Sequence, residues 1–468
     1  MAKGSRRLAL GMLLLPLVYA AVLRLNVSPV QLGRFQLHRR GPASLSIWSD
    51  DAAGGGLEHA RMIMRRLVRG RARSELSWNR VACITSDSES DFCITSDSVR
   101  IVAGPSRSAT VYLTAGQKLP GGAANFTLQP YPRKTDSLAM ARTAPIHIIS
   151  GAATPSCDVV HTSPAVVFST GGFAGNFFHD INDVLIPVFL TAGRLRPSNL
   201  VVVDYEDYWV SKYRRVLTHL AGGGDAAIVV ASSPSSPVEP RVHCFPAAVV
   251  GLKYHDNLAC NATVPPGGVT IRDFRRFIHE SLSLPSDPLG TAAGERPLLV
   301  FLSRRKSRAL LNEGDVVDMA REVGFNVEVV TPEMMRDVEA FARLVATASV
   351  LGGMHGAGMT NMVFLRMGAV LLQVVPWGLD WAAKAYYGRP AVAMGLEYVE
   401  YRVAVEESTL SDYYPPEHPV LADPWSIHRQ GYNVSGPIYT DGQNVRLDLA
   451  RFKGTLLETM HRIPRRPS

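Results

Sequence analysis

Residues 351–361 read Leu-Gly-Gly-Met-His-Gly-Ala-Gly-Met-Thr-Asn. An apolar run at 348–351 enters this string, an apolar segment at 359–367 leaves it, and a further apolar run at 369–375 is ended by Pro376. That order spells strand, tight turn, helix, strand. Glycine at 352, 353, 356 and 358 lets backbone approach a ligand without Cβ clashes. The first N–H groups of a following helix lack partners within it and carry the positive end of its dipole. Such a turn is built to hold a diphosphate. Glycine-rich strand-to-helix turns also serve packing alone, so the string gains meaning only with partners elsewhere in the chain.

Several better-known motifs are excluded. The dinucleotide fingerprint fails because Asn361 stands where its third glycine belongs, and there is no Gly-x-x-x-x-Gly-Lys-Ser/Thr string. His-Gly-Ala-Gly is similar to the oxyanion loop of esterases, but the chain has no Gly-x-Ser-x-Gly nucleophile elbow.

The chain's 468 residues, 46% hydrophobic, are enough for two domains with real cores. Its formal net charge is +8, with arginine spread along the sequence, and no nucleic-acid module is readable. The N-terminus says more. Lys3, Arg6 and Arg7 precede an apolar stretch at 8–23, which Arg24 closes. Sixteen residues fall short of the ~20 of an ordinary spanning helix, but a thin bilayer and a snorkelling Arg24 make up the difference. The positive flank predicts a cytosolic N-terminus. We therefore expect a cytosolic tail at 1–7, a signal-anchor transmembrane helix at 8–25 and a stem at 26–75. A cleaved signal peptide, with Ala20-Ala21 as its small-residue site, is the alternative. Either way the body enters the secretory pathway. Asn125, Asn261 and Asn433 head glycosylation tripeptides there, while Asn26 lies too near the membrane. Five cysteines, at 83, 93, 157, 244 and 260, then allow two bridges and a spare thiol. Cys83 with Cys93 is the expected pair, across a short Ser- and Asp-rich segment. The absence of Cys-x-x-Cys argues against a zinc or thioredoxin-like site.

Apolar patterning organises the rest. Strands are expected within 99–111 and at 146–149, 164–168 and 200–203, with helices at 177–190 and 208–220. This alternation implies a parallel α/β domain. A Pro-, Gly- and Ser-bearing linker at 281–297 follows, and the alternation restarts: strand 298–302, helix 315–323, strand 326–330, helix 333–346, strand 349–351. Two doubly wound domains result, 76–285 and 286–468. In such sheets ligands bind beyond the carboxyl ends of strands, so 303–308 and 352–358 are expected at one cleft between them.

Three constellations carry chemistry. Ser303-Arg304-Arg305-Lys306-Ser307-Arg308 is a cationic turn suited to bidentate phosphate contacts. Thr170-Gly-Gly-Phe-Ala-Gly-Asn-Phe-Phe-His179-Asp180-Ile-Asn-Asp183 is a second glycine loop entering a helix, with Asn176 as N-cap. His179 and Asp183 are four apart and share a helix face, where an aspartate orients an imidazole for proton removal. A purely structural helix pair, with Asp180 at the surface, is the competing reading. The third constellation is negative. No Asp-x-Asp occurs, Asp204-Tyr-Glu206-Asp207 being the nearest acidic cluster, so no divalent metal is predicted and fixed positive groups take its place. Trp377, Trp381, Tyr386 and Tyr387 are candidates to stack on a base or sugar, or to pack in a core.

Together these strings resemble the plant branch of glycosyltransferase family 61. The matching segments are Val166 through Asp183, Ser303-Arg304 through Asn312, Gly353 through Asn361, and Gln373-Val-Val-Pro-Trp-Gly378. Tyr398 to Tyr401, Glu406-Glu407, Asp423-Pro424 and Arg451-Phe452 also match, so that 80–460 is covered. The resemblance implies a GT-B-type fold, with an acceptor-side N-terminal domain and a C-terminal domain that binds a UDP-sugar. It implies inverting transfer of a pentose to xylan in the Golgi by a single-pass type II membrane protein, in complexes with other xylan-synthesis enzymes. On matching positions, His179 and Asp183 are catalytic. Arg304, Arg308, Asn312, Gly353, His355, Gly356, Ala357, Gly358 and Asn361 bind the donor, and no cofactor is required. An α-1,3-arabinosyltransferase is favoured. A β-1,2-xylosyltransferase and an inactive carbohydrate-binding relative are the alternatives.

Overall fold

The computed structural model describes residues 56–465 apart from 104–106, 224–226, 236–237 and 286–293. The expected tail, the anchor and most of the stem lie outside the described residues. No helix among the described residues is long and apolar enough to cross a membrane.

The stem is the first correction. Helices Gly56–Arg66 and Gly70–Asn79 begin within it, and the second runs past its expected end. Ala60, Ile63, Met64 and Leu67 are buried at helical spacing, and the dense arginines around them hide that apolar stripe. Residues 56–75 thus belong to the folded body.

Three sheets follow among the described residues. The first runs Val81–Ile84, Phe92–Thr95, Ala248–Val250, Ala165–Ser169, Asn199–Val203, Ile228–Val230; its first two pairings are antiparallel and the rest parallel. The Cys83–Cys93 disulfide joins residues directly opposite each other in the opening hairpin, and a second disulfide joins Cys157 to Cys244. The second sheet is mixed, in the order Asn125–Leu128, Ile146–Ile149, Ala109–Leu113, Val99–Ala103, Arg241–Phe245, Val159–Val160. Val99, Ile101 and Val111 of this sheet share a core with Ala165, Val167, Val201 and Val203 of the first. This differs from the doubly wound N-terminal domain expected. A second sheet covers the face where a helical layer would lie, because 99–149 carries the two-residue period of strands.

The third sheet is fully parallel, in the order Asn326–Val330, Leu298–Leu302, Val350–Met354, Val370–Val375, Glu397–Arg402. The strand entering the glycine string runs three residues further than expected. Gly352 and Gly353 are therefore strand residues, and a Cβ on Gly353 would lie 2.9 Å from Leu302 Cβ. The helix after the turn is a 3₁₀ helix, Ala357–Phe364. Helix Leu449–Arg462 closes the chain, with Phe452 and Leu456 fully buried.

Helix Ile271–Leu282 ties the two halves together. Arg275, buried, donates to the carbonyls of Met394 and Leu365 from this helix. The Arg215–Glu339 ion pair adds a link at 2.8 Å.

Candidate active site

The first half of the site grows from the turn after strand Ala165–Ser169. Gly172 has φ +60°, and a Cβ there would sit 2.6 Å from the Tyr131 ring, so only glycine lets that tyrosine in. Asn176 caps the helix that follows, its side chain accepting from Phe178 N at 3.0 Å. The helix passes through a π-turn, Asp180–Leu185, before continuing as Ile186–Ala192. Such turns recur at functional sites. This one carries Asp183.

Asp183 is fully buried and accepts four hydrogen bonds. Tyr131 OH (2.9 Å), Arg133 Nε (2.7 Å) and His179 Nδ1 (2.6 Å) converge on Oδ2, and Asn182 Nδ2 (2.6 Å) reaches Oδ1. Burial alone would raise the carboxyl's pKa. Hydrogen bonds and charge from His179 and Arg133 outweigh it and hold Asp183 below the usual carboxylate range. Its oxygens are thus committed to holding neighbours. His179 lies between Phe173 and Phe178, with ring centroids at 4.8 and 5.3 Å. Its Nε2 carries no hydrogen bond among the described residues, which leaves Nε2 to take a proton. Asp180 is buried, not at the surface: it accepts from Gly175 N, Trp209 Nε1, Lys212 Nζ and Tyr213 OH, and so fixes the glycine loop.

The second half follows strand Leu298–Leu302. Arg308 donates to the His355 carbonyl at 3.0 Å, and its own φ is +52°. Arg304 donates to the Ser307 carbonyl at 2.8 Å. A Cβ on Gly356, whose φ is +155°, would stand 2.3 Å from Arg304 Nη1. Neither arginine has an acidic ion-pair partner among the described residues, and Arg308 Nε is buried there without a hydrogen-bond partner. Burial, with Arg308 alongside, pushes Arg304 down to about 10; burial lowers Arg308 too. Two half-desolvated cations side by side are held ready for an anion. His355 is buried, and burial with the charge of Arg308 and Arg304 pushes it down to about 3, so its imidazole is neutral. Gln373 donates to its Nδ1 at 2.6 Å while accepting from Tyr398 OH, which leaves the proton on Nε2.

Other expected donor residues are turned inward. Both ends of the Asn312 amide are taken by the Leu447 backbone, at 2.9 and 3.0 Å. Asn361 bonds the Gly358 carbonyl at 2.8 Å and braces its own turn. Ala357 and Gly358 stay half-exposed at the head of the 3₁₀ helix. Asn125, Asn261 and Asn433 are all exposed.

The two halves meet through aromatic rings. Phe178, next to His179, lies 5.4 Å from Tyr386 and 6.2 Å from Tyr387. Tyr387 is buried, donates to the Gly356 carbonyl at 2.8 Å and sits 5.3 Å from the His355 ring. One short path therefore runs from His179 to the Arg308 loop. Tyr131 and Arg133 are not singled out by the sequence, and Asn182 and Gln373 lie in its quoted strings without an assigned role. The first two lie about fifty residues from Asp183 and belong to no motif. Of the four candidate stacking aromatics, Trp377 packs in a satellite core with Leu379, Val420 and Tyr439. Glu407 and Arg451, in matched strings, form a structural knot: Glu407 accepts from Arg451 (2.6 Å), Ala404 N and Asp448 N. Asp204 is spent on Ser169, Arg107 and Ala144 N, and no group of three metal-ligating side chains is assembled among the described residues.

The family model described as Glycosyltransferase 61 matches residues 177–372, from the His179 helix to the strand after the glycine turn. A β-1,2-xylosyltransferase of Oryza sativa subsp. japonica is 34% identical over 401 residues, 81% of this chain and 83% of the relative. A xylan glycosyltransferase of Arabidopsis thaliana is 32% identical over 402 residues, 81% and 78% of the two chains. The chain belongs to glycosyltransferase family 61. An α-1,3-arabinosyltransferase of Oryza sativa subsp. japonica is a further member of similar sequence, 37% identical over 341 residues and 72% of this chain. The match spans 58% of that relative's length. All the expected catalytic and donor positions lie within this family-61 match.

Proposed function

We propose that this protein is an inverting glycosyltransferase that moves a pentose from a UDP-sugar onto xylan, and that arabinofuranose is added with α-1,3 linkage. The observation that carries the reading is the meeting of His179, half-buried and held by the buried Asp183, with two arginines that have no acidic ion-pair partner among the described residues, across Phe178 and Tyr387. The relatives named as arabinosyl-, xylosyl- and xylan transferases support the substrate class.

In this reading the parallel sheet and the sheet bearing Ala165–Ser169 are the two halves of a GT-B-type enzyme. The donor diphosphate lies on Arg304, Arg308 and the backbone at 355–358. Asp183 keeps the proton on His179 Nδ1, so that Nε2 accepts the proton of an acceptor hydroxyl. The freed oxygen bonds to the anomeric carbon through an oxocarbenium-like state as the bond to phosphate breaks. The electron pair leaves with UDP, where the two guanidiniums stabilise it. Segment 8–25 anchors the body in the Golgi membrane with the catalytic halves in the lumen, and Asn125, Asn261 and Asn433 carry glycans there.

The test is to incubate the protein with xylo-oligosaccharides and, separately, UDP-arabinofuranose and UDP-xylose, followed by mass spectrometry and linkage analysis. A 3-linked arabinofuranosyl product is expected. A 2-linked xylosyl product would reassign donor and linkage, and no transfer from either donor would reject the reading.

A further inference from the structure

Two large aromatic side chains stand exposed beside the site: Trp381 at 44% and Trp425 at 54% of their full accessible surface. Both are held by one residue. His428 lies 5.7 Å from the Trp381 ring and 6.3 Å from the Trp425 ring. His428 in turn stacks on Tyr439 at 4.9 Å and bonds the Gly378 carbonyl through Nε2 at 2.7 Å. Tyr439 is fully buried, and its hydroxyl donates to the Val420 carbonyl at 2.8 Å. Gly378, with φ +77°, makes room: a Cβ there would come 2.6 Å from the Tyr439 ring. The exposed indoles are thus mounted on a rigid base.

The row also has a direction. Trp381 is 5.9 Å from Tyr386, Tyr386 is 5.4 Å from Phe178, and Phe178 is 5.3 Å from His179. An unbroken line of rings leads from the candidate base to Trp425. Exposed indoles on a fixed mount beside a catalytic group are the signature of a binding surface, not of a core.

We propose that this row is the acceptor platform, on which an unsubstituted stretch of the xylan backbone lies with its pyranose faces against Trp381 and Trp425. The inference rests on the transferase reading above and moves most of the acceptor contact from the N-terminal half, where it was expected, to the wall built by 377–439. The occupant follows from the chemistry. A β-linked xylopyranose has no hydroxymethyl arm and presents flat C–H faces that pack on aromatic rings. A chain spanning several sugars needs successive aromatic rings, whereas the uracil of one nucleotide needs one.

Affinity electrophoresis in native gels containing soluble xylan tests this without requiring turnover. The wild-type protein and the His179→Ala variant should be retarded equally. Trp381→Ala and Trp425→Ala should each weaken the apparent affinity about tenfold, and Trp425→Phe should restore part of it. Calorimetric UDP affinity should stay unchanged in all three tryptophan variants, which also shows that they are folded. Retardation retained in both alanine variants, absence of retardation in the wild type, or loss of UDP affinity in place of xylan affinity would each overturn the proposal. Failure of the transferase reading shows separately, as absence of product in the donor assay.

Discussion

His179 Nδ1 donates to Asp183 Oδ2 at 2.6 Å, and the same oxygen accepts from Arg133 and Tyr131. A carboxylate so occupied is an anchor for the imidazole and a poor base itself. His179→Ala should lower kcat by roughly 10²–10⁴-fold while UDP affinity and stability hold, because its ring is only partly buried. Asp183→Asn should lower kcat comparably and also cost about 2 kcal/mol of stability, since it weakens the charged hydrogen bond of the half-buried Arg133. Initial rates, calorimetry and thermal unfolding of both variants separate the roles; full activity in either would contradict them.

Arg304 has no acidic ion-pair partner among the described residues, and burial with the charge of Arg308 outweighs the influence of Asp441. Arg304→Gln should therefore stabilise the empty protein by on the order of 1 kcal/mol. It should also weaken UDP binding about tenfold or more. Melting curves with and without UDP give both signs at once. An unchanged UDP-induced shift would remove Arg304 from the donor site.

Gly356→Ala probes the same place from the backbone side. The added methyl meets Arg304 Nη1, the end of a flexible side chain, so the guanidinium is displaced, and alanine at φ +155° strains the turn as well. Weakened UDP binding, together with a stability loss of about 1–3 kcal/mol from that strain, is the expected result. Undiminished binding would mean that Arg304 does not need its observed position.

Buried histidines make stability depend on pH. His355 is held at about 3, and burial also lowers His219, His255 and His279. Below about pH 6.5 the unfolded chain takes up protons that the native state refuses, so stability is greatest above that pH and falls as the pH drops. His355 alone contributes a loss of about 1.4 kcal/mol per pH unit between its two values. Melting temperature should fall from pH 7.5 to pH 5.5, less steeply in His355→Gln. A flat profile over that window would contradict the burial of these rings.

The sequence carried the parallel sheet well. Strands Leu298–Leu302 and Asn326–Val330 stand where their apolar runs ended, because buried parallel strands are continuously apolar. It carried the hairpin of Cys83 and Cys93 for a local reason, a turn too short to pair otherwise. It did not reveal the π-turn at Asp180–Leu185, since one extra residue in a helical turn leaves no mark in an apolar pattern. Nor did it reveal the partners of Asp183. Tyr131 and Arg133 sit in a Pro-Tyr-Pro-Arg segment whose only local peculiarity, the +74° φ of Arg133, is invisible until the chain is folded. Nor did the sequence show that the Asn312 amide clamps the Leu447 backbone, a contact far away along the chain.

The central claim is that fixed guanidiniums, set against the 355–358 backbone, neutralise the nucleotide diphosphate. It is tested most directly by calorimetric titration of UDP in the presence of a chelator, with wild-type protein and with the double variant Arg304→Gln, Arg308→Gln. The account predicts that wild-type binding survives the chelator unchanged and that the double variant binds no UDP. Wild-type binding that vanishes with the chelator, or a double variant that binds as tightly as wild type, would contradict it.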